Sequence, residues 1–139
     1  MIAFDTDVLV EIFAGNSKYI ALASAYPPAH QSVPVVVVEE MLRARLNSIR
    51  QAEAGKAKID LPRAYELFAA NVRQFQDLVI LPYTPQADDA FQQWRKAKVR
   101  VRTHDLRIAS ICVAHSATLV TRNRHDFEQV PNLAVEFWG

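Results

Sequence analysis

The sequence predicts an α/β fold built on a parallel sheet. Two observations carry that prediction. Short apolar or β-branched runs alternate with stretches whose apolar residues recur at helical spacing, and carboxylates stand where several of those runs end. Right-handed crossovers put the strand C-termini on one edge of such a sheet, and ligands of open parallel sheets bind outside that edge.

Taken in order, Met1-Ile2-Ala3-Phe4 reads as a buried strand or its start, followed at once by Asp5-Thr6-Asp7. Val8 to Phe13 reads as a short helical stretch stopped at Gly15. Ser17 is placed to cap a second helix through Ala25, which Pro27-Pro28 ends. Val33 to Val38 is a β-branched run, and Pro34, having no amide proton, limits any strand there to its edge or start. From Glu39, Leu42, Leu46 and Ile49 mark a helix running toward Gly55, with Arg43, Arg45 and Arg50 turned elsewhere. Leu61-Pro62 opens another helix with Ala64, Leu67, Phe68, Val72 and Phe75 on one face, so these two form a helical hairpin.

Leu78 to Leu81 predicts a short buried strand bounded by Pro82 and Pro85. Ala87, Ala90, Phe91, Trp94 and Ala97 repeat at helical spacing. His104-Asp105 opens the most apolar helix, Leu106 to about Ser116. Leu119-Val120 is a strand running into Thr121-Arg122-Asn123, and Leu133 to Phe137 is a last strand.

The 139 residues predict one domain, 1–139, long enough to bury a core without covalent staples. A formal net charge of +1 gives no global pull toward nucleic acid or membrane, so any nucleic-acid binding must come from a local patch. The single cysteine, Cys112, excludes an internal disulfide framework and fits a reducing compartment. Acidic residues occupy the place of a signal peptide's basic region, and no apolar run approaches the roughly 18 residues of a membrane span. A cytoplasmic location is the expectation.

Three acids share the placement of Asp5. Glu40 follows the valine run, Asp105 begins the apolar helix, and Asp126 follows the Leu119–Thr121 strand with Asn123 just before it. Brought to one rim, four carboxylates repel one another unless a cation neutralises them. Oxygen-only donors suit Mg²⁺ or Mn²⁺, which can activate water and stabilise the leaving oxygen of a displacement at phosphorus. Glu40, Asp105 and Asp126 each also read as residues favoured at helix starts. Asp5, directly after a buried strand, has less reason to be there.

Four stretches together resemble the PIN-domain ribonucleases, of the VapC-like toxin kind. They are Phe4-Asp5-Thr6-Asp7-Val8-Leu9-Val10, Val38-Glu39-Glu40-Met41-Leu42-Arg43, Thr103-His104-Asp105-Leu106-Arg107-Ile108-Ala109, and Leu119-Val120-Thr121-Arg122-Asn123-Arg124-His125-Asp126-Phe127. They fall in the family's order and span nearly the whole chain. The resemblance implies a Rossmann-like three-layer α/β/α PIN domain with a central parallel sheet, and a metal-dependent endoribonuclease acting as the toxin of a type II toxin–antitoxin pair. It implies an acidic metal cluster of Asp5, Glu40, Asp105 and Asp126, supported through hydrogen bonds by Asn123 and Thr121. Some members carry Asp at the position of Asn123, so the fourth metal-site residue is either Asp126 or Asn123. The implied cofactor is Mg²⁺ or Mn²⁺, and the implied partners are an RNA substrate, a VapB-like antitoxin and a second copy of the chain. Two positions depart from the family pattern. Ala44 stands where Gly is frequent, and Asp7, where Asn, Ser or Thr is common, either adds charge to the site or caps the first helix.

Arg95, Lys96, Lys98, Arg100, Arg102 and Arg107 form the densest basic stretch, leading into Asp105. Lys98, Arg100, Arg102 and Arg107 are the candidates for pinning RNA phosphates. The plainer reading is a helix ending in lysines that favour its C-terminus. Arg43, Arg45 and Arg50 suit either RNA or an acidic antitoxin segment. His104-Asp105 and His125-Asp126 look like the metal-binding pairs of all-helical phosphohydrolases, but the strands argue against that fold.

Two rival functions stand beside the nuclease. Asp5-Thr6-Asp7-Val8 resembles the opening of haloacid-dehalogenase-type phosphatases, with Asp5 as nucleophile. That chemistry needs a lysine near the phosphoenzyme, and only Lys96 or Lys98 offers itself. The other rival is a non-catalytic PIN-like module that binds RNA or protein, which the presence of all four acids disfavours.

Overall fold

In the computed structural model, which describes residues 1–139, the central strand is β1 (Ile2–Phe4), buried along its whole length. β2 (Gln31–Pro34) and β4 (Thr118–Thr121) flank it, β3 (Val79–Leu81) lies outside β2, and β5 (Val135–Phe137) lies outside β4. The order is β3-β2-β1-β4-β5 and every pairing is parallel. Ala3 stands between Ser32 and Leu119, and Phe4 is level with Val120. The chain winds from β1 to one side and later returns to the other, so the carboxyl ends of β1 and β4 flank the switch point where such sheets bind ligands.

Seven helices complete a three-layer α/β arrangement. They are α1 (Thr6–Phe13), α2 (Ser17–Ala23), α3 (Val35–Glu53), α4 (Leu61–Phe75), α5 (Pro85–Lys96), α6 (Thr103–Ala114) and α7 (Arg124–Phe127). Phe4, Leu9, Val37, Leu106, Leu119 and Phe127 belong to one continuous core. α6 is buried on nearly every side, which is why its sequence is apolar all round. α3 and α4 pack as the expected hairpin, joined through Gly55 at φ +68°, a conformation that suits glycine.

The valine run does not behave as one strand. β2 ends at Pro34, and Val35 to Val38 form the first turn of α3. Pro34 is not at an edge or a strand start either, because β2 is an interior strand. The proline is tolerated at the strand's last position, where the ladder to β1 has already ended at Ser32. Burial of Val36 and Val37 outweighs the weak helix propensity of β-branched residues.

Other expectations shift for similar reasons. β3 is not buried along its length. It is an edge strand, with Val79 39% and Ile80 45% exposed. Leu46 and Val72 are exposed, whereas Ile49, Ala64 and Phe75 are buried as expected, together with Met41 and Asn71, to which Arg45 Nε donates at 2.7 Å. Asn16 rather than Ser17 caps α2, accepting from the Lys18 amide, and that helix ends at Ala23. The last strand starts at Val135 rather than Leu133.

Candidate active site

Asp5 leaves β1 with its amide still donating to Val120 O at 2.9 Å, so the ladder itself delivers the residue to the carboxyl edge of the sheet. It also caps α1, where Oδ1 accepts from the Thr6 amide at 2.8 Å. Oδ2 accepts the Thr121 hydroxyl at 2.6 Å. That hydroxyl in turn accepts the Asn123 amide at 3.0 Å, so its proton is directed at Asp5. Asn123 caps α7 through Oδ1, which accepts from the Asp126 amide, while its Nδ2 donates to Asp126 Oδ2 at 2.9 Å. Hydrogen bonds thus connect Asp126, Asn123, Thr121 and Asp5 in one line.

A cavity of about 550 Å³ opens above Asp5, and no hydrophobic residue lines it. Asp5, Asp7, Glu40 and Asp105 face it from four separate positions, with Asn123 on the wall. Glu40 lies in the second turn of α3, not at its start, so it does not cap the helix. Its Oε2 accepts the Thr6 hydroxyl at 2.7 Å, a contact across 34 positions of sequence that holds its rotamer. Asp105 lies in the first turn of α6 and meets Arg102 Nη2 at 3.3 Å. Asp126 does not line the cavity and stands behind Asn123. No three carboxylate or imidazole groups close on a single point as a ligand cage.

The carboxylates are held at a disadvantage. Burial, above all, lifts Asp5 to about 7, with the charges of Asp7 and Asp105 adding to the rise and the Thr121 and Thr6 hydrogen bonds opposing it. Asp7 is raised by burial, against the Arg122 amide that both its oxygens accept at 3.2–3.3 Å. Asp105 is raised by burial, against Arg102, with the charges of Glu40 and Asp126 pushing the same way as burial. A hard divalent cation bound in the cavity would offset this accumulated charge. The donor set of carboxylate oxygens, open to water and substrate, fits Mg²⁺ or Mn²⁺, which bind through one or two carboxylates and keep several waters.

The basic stretch divides. Arg102 lines the cavity, whereas the Arg107 guanidinium lies 5.1 Å from the centroid of the Phe91 ring. Lys98 and Arg100 are exposed in the loop before α6, Lys98 at φ +60°. Arg95 stacks near Phe91, and Trp94 is in the core. His104 lines the cavity and meets Glu39 at 3.5 Å, while His115 faces Pro82 O. The partners of two wall residues were not legible in the sequence, although Asp7 stood out there as a possible extra site charge. Thr6 matters through a partner 34 positions away, and Asp7 turns to the backbone of β4's exit, neither of which is visible in local pattern.

Comparison with known proteins agrees with this fold. A family model described as PIN domain matches residues 2–133. A stretch of 38 residues is 47% identical to Ribonuclease VapC2 of Rickettsia felis, an alignment covering 27% of this chain and 28% of that relative's length. The fold is similar to VapBC2 from Rickettsia felis bound to a DNA fragment from their promoter, with TM-score 0.77 and 20% identity over 100% of both chains. It is also similar to FitAcB from Neisseria gonorrhoeae, with TM-score 0.77 and 19% identity over 97% of this chain and 96% of that one.

Proposed function

The chain belongs to the PIN-domain family, and on that footing we propose that it is a metal-dependent endoribonuclease, the toxin of a type II toxin–antitoxin pair. The observation that carries this reading is the convergence of Asp5, Asp7, Glu40 and Asp105 on one polar cavity at the carboxyl edge of a parallel sheet. Its partners would be RNA, a small VapB-like antitoxin and a second copy of the chain. The similarity to a ribonuclease, VapC2, and to the VapBC2 structure supports that assignment.

Asp5, Glu40 and Asp105 are assigned to hold Mg²⁺ or Mn²⁺. When bound, such an ion lowers the pKa of water and stabilises charge on phosphate oxygens. The protein's own part is positioning. Thr121 and the Thr6 amide fix the Asp5 carboxylate, and the Thr6 hydroxyl fixes Glu40. Asn123 and Asp126 fix Thr121 from behind, a supporting rather than ligating role. Arg102, at the rim beside Asp105, is assigned to a substrate phosphate.

The phosphatase reading loses ground here. No lysine lines the cavity, so nothing there would neutralise a phosphoenzyme on Asp5. The deciding test is cleavage of mixed cellular RNA by the purified protein and by Asp5→Asn, each with Mg²⁺ and with EDTA. Discrete fragments that require both the metal and Asp5 are expected. Fragments that persist in Asp5→Asn would sink the mechanism, and phosphate release from a phosphomonoester without RNA cleavage would restore the phosphatase.

A further inference from the structure

Three cavities share wall residues, with the acidic cleft at the carboxyl edge of the sheet common to the other two. The acidic cleft shares Glu40 with a cavity of about 470 Å³ on the outer face of α3. On its other side it shares Asp7 and Asn123 with a cavity of about 500 Å³ beyond β4. Arg43, Asn47 and Arg50 line the first of these outer cavities, and Arg122, Arg124 and Phe137 line the second. The acids therefore sit between two cavities lined by cations.

The cations are spread over both outer cavities rather than bunched. Arg43, Asn47 and Arg50 follow one face of α3, spread over two turns, or about 10 Å of helix. Arg45, on the same helix, turns inward to Asn71 and takes no part. At the other end the Arg124 guanidinium lies 4.2 Å from the centroid of the Phe137 ring and that of Arg122 lies 5.8 Å from the centroid of Tyr19. Packing on a ring restrains a long side chain before any ligand arrives. Three of the four arginines meet carboxylates, Arg43 with Glu39, Arg122 with Glu11 and Arg124 with Glu128, but each pair is at least part-exposed and weakly held. A phosphate, offering charge-assisted hydrogen bonds to a guanidinium, competes well for such a partner.

We propose that a single RNA strand crosses the molecule along these three cavities, its backbone held by Arg43 and Arg50 on one side of the scissile phosphate and by Arg122 and Arg124 on the other. An endonuclease must accommodate chain on both sides of the cut, and here cations lie on both sides of the acids. The proposal rests on the nuclease reading, which concerns the middle cavity alone.

The test uses the full chain carrying Asp5→Asn, so that RNA is not consumed, in Mg²⁺. Binding of a fluorescein-labelled 20-nucleotide single-stranded RNA is followed by anisotropy across a salt series. Arg43→Gln/Arg50→Gln and Arg122→Gln/Arg124→Gln are compared with Lys56→Gln/Lys58→Gln, an equal charge change at the tip of the hairpin. Each track variant should bind about tenfold or more weakly, and the slope of log K against log salt should fall by about 1.4, as loss of two single-strand phosphate contacts requires. The hairpin-tip variant should match its parent, and circular dichroism should show all of them folded.

Unchanged affinity and slope in both track variants, while the otherwise wild-type protein cleaves RNA, overturns the track and leaves the nuclease standing. Loss of affinity in Lys98→Gln/Arg100→Gln in place of the track variants overturns it in favour of the loop before α6. If RNA binding survives but binding of a labelled oligoglutamate peptide is lost, the arginines form a protein-docking face and the proposal also fails. Absence of both RNA binding and cleavage in the wild-type chain removes the nuclease reading beneath it.

Discussion

Thr121 donates its hydroxyl to Asp5 Oδ2 across 2.6 Å, although the two residues are 116 positions apart. The bond is fully buried, and the Asn123 amide occupies the acceptor side of the same hydroxyl. The geometry leaves that proton one destination. Asp5 is thereby oriented by a residue that never faces the cavity.

Thr121→Val keeps the shape of the side chain and removes the donor. It should destabilise the protein by roughly 1–3 kcal/mol, the usual range when a buried acceptor loses its partner. Because that hydrogen bond opposes the rise in Asp5, the acid limb of the pH–rate profile should also move to higher pH. Urea denaturation and a pH profile of cleavage check the two parts separately. A stability loss with an unmoved profile would mean that Thr121 serves packing only.

Asp5 also sets a pH dependence of the metal-free protein. Its carboxyl titrates near 7 in the fold against an ordinary value of 3.8. Below that ordinary value both folded and unfolded chains hold the proton, and no penalty exists. As pH rises toward 7 the unfolded chain releases the proton first, so stability falls across that window and stays low above it. Asp5→Asn, which cannot charge, should therefore be the more stable protein in EDTA at pH 8, by on the order of 2 kcal/mol after allowing for the altered acceptor to the Thr6 amide. The advantage should vanish near pH 4. Denaturation at the two pH values decides it.

Metal should reverse that order. Mg²⁺ or Mn²⁺ should raise the wild-type melting temperature, more at pH 8 than at pH 5.5, because protons compete for the same oxygens. Asp5→Asn should gain little. A thermal-shift series in each metal, with EDTA as reference, measures this without any reliance on turnover.

Asn123→Asp tests the support behind Thr121. The change keeps an oxygen to cap α7 but replaces the donor that meets Asp126 Oδ2 with a second negative charge. The metal-free protein should lose on the order of 1–2 kcal/mol through this repulsion and the lost hydrogen bond. The stabilisation gained from Mg²⁺ should become larger than in the wild type. Equal metal-induced shifts in the two proteins would show that position 123 does not feel the ion.

Much of this architecture was legible because the strands are short and punctuated. The apolar Met1–Phe4 run placed Asp5 at a strand exit, and the structure puts it there as the central strand leaves the sheet. The handover at Pro34 was not legible, because four valines read as strand until burial on a helix is known. The four-residue α7 is too short to show a period. Arg107 illustrates a different limit. Two residues beyond Asp105 on one helix, it points away from Asp105 and onto Phe91, whereas Arg102, three residues before, shares its face. Adjacency in sequence to a site acid is thus poor evidence of adjacency in space. The reach from Thr6 to Glu40 had no local signature at all.

The arrangement of β1 between β2 and β4 also sets an order of events during synthesis. β1 and Asp5 are made first, but the strand that closes β1's second edge, and the hydroxyl that aims Asp5, belong to Thr118–Thr121. Until that segment leaves the ribosome, one side of the earliest strand lies bare and Asp5 lacks its donor. A growing chain of this kind has all its early acids and no assembled cleft.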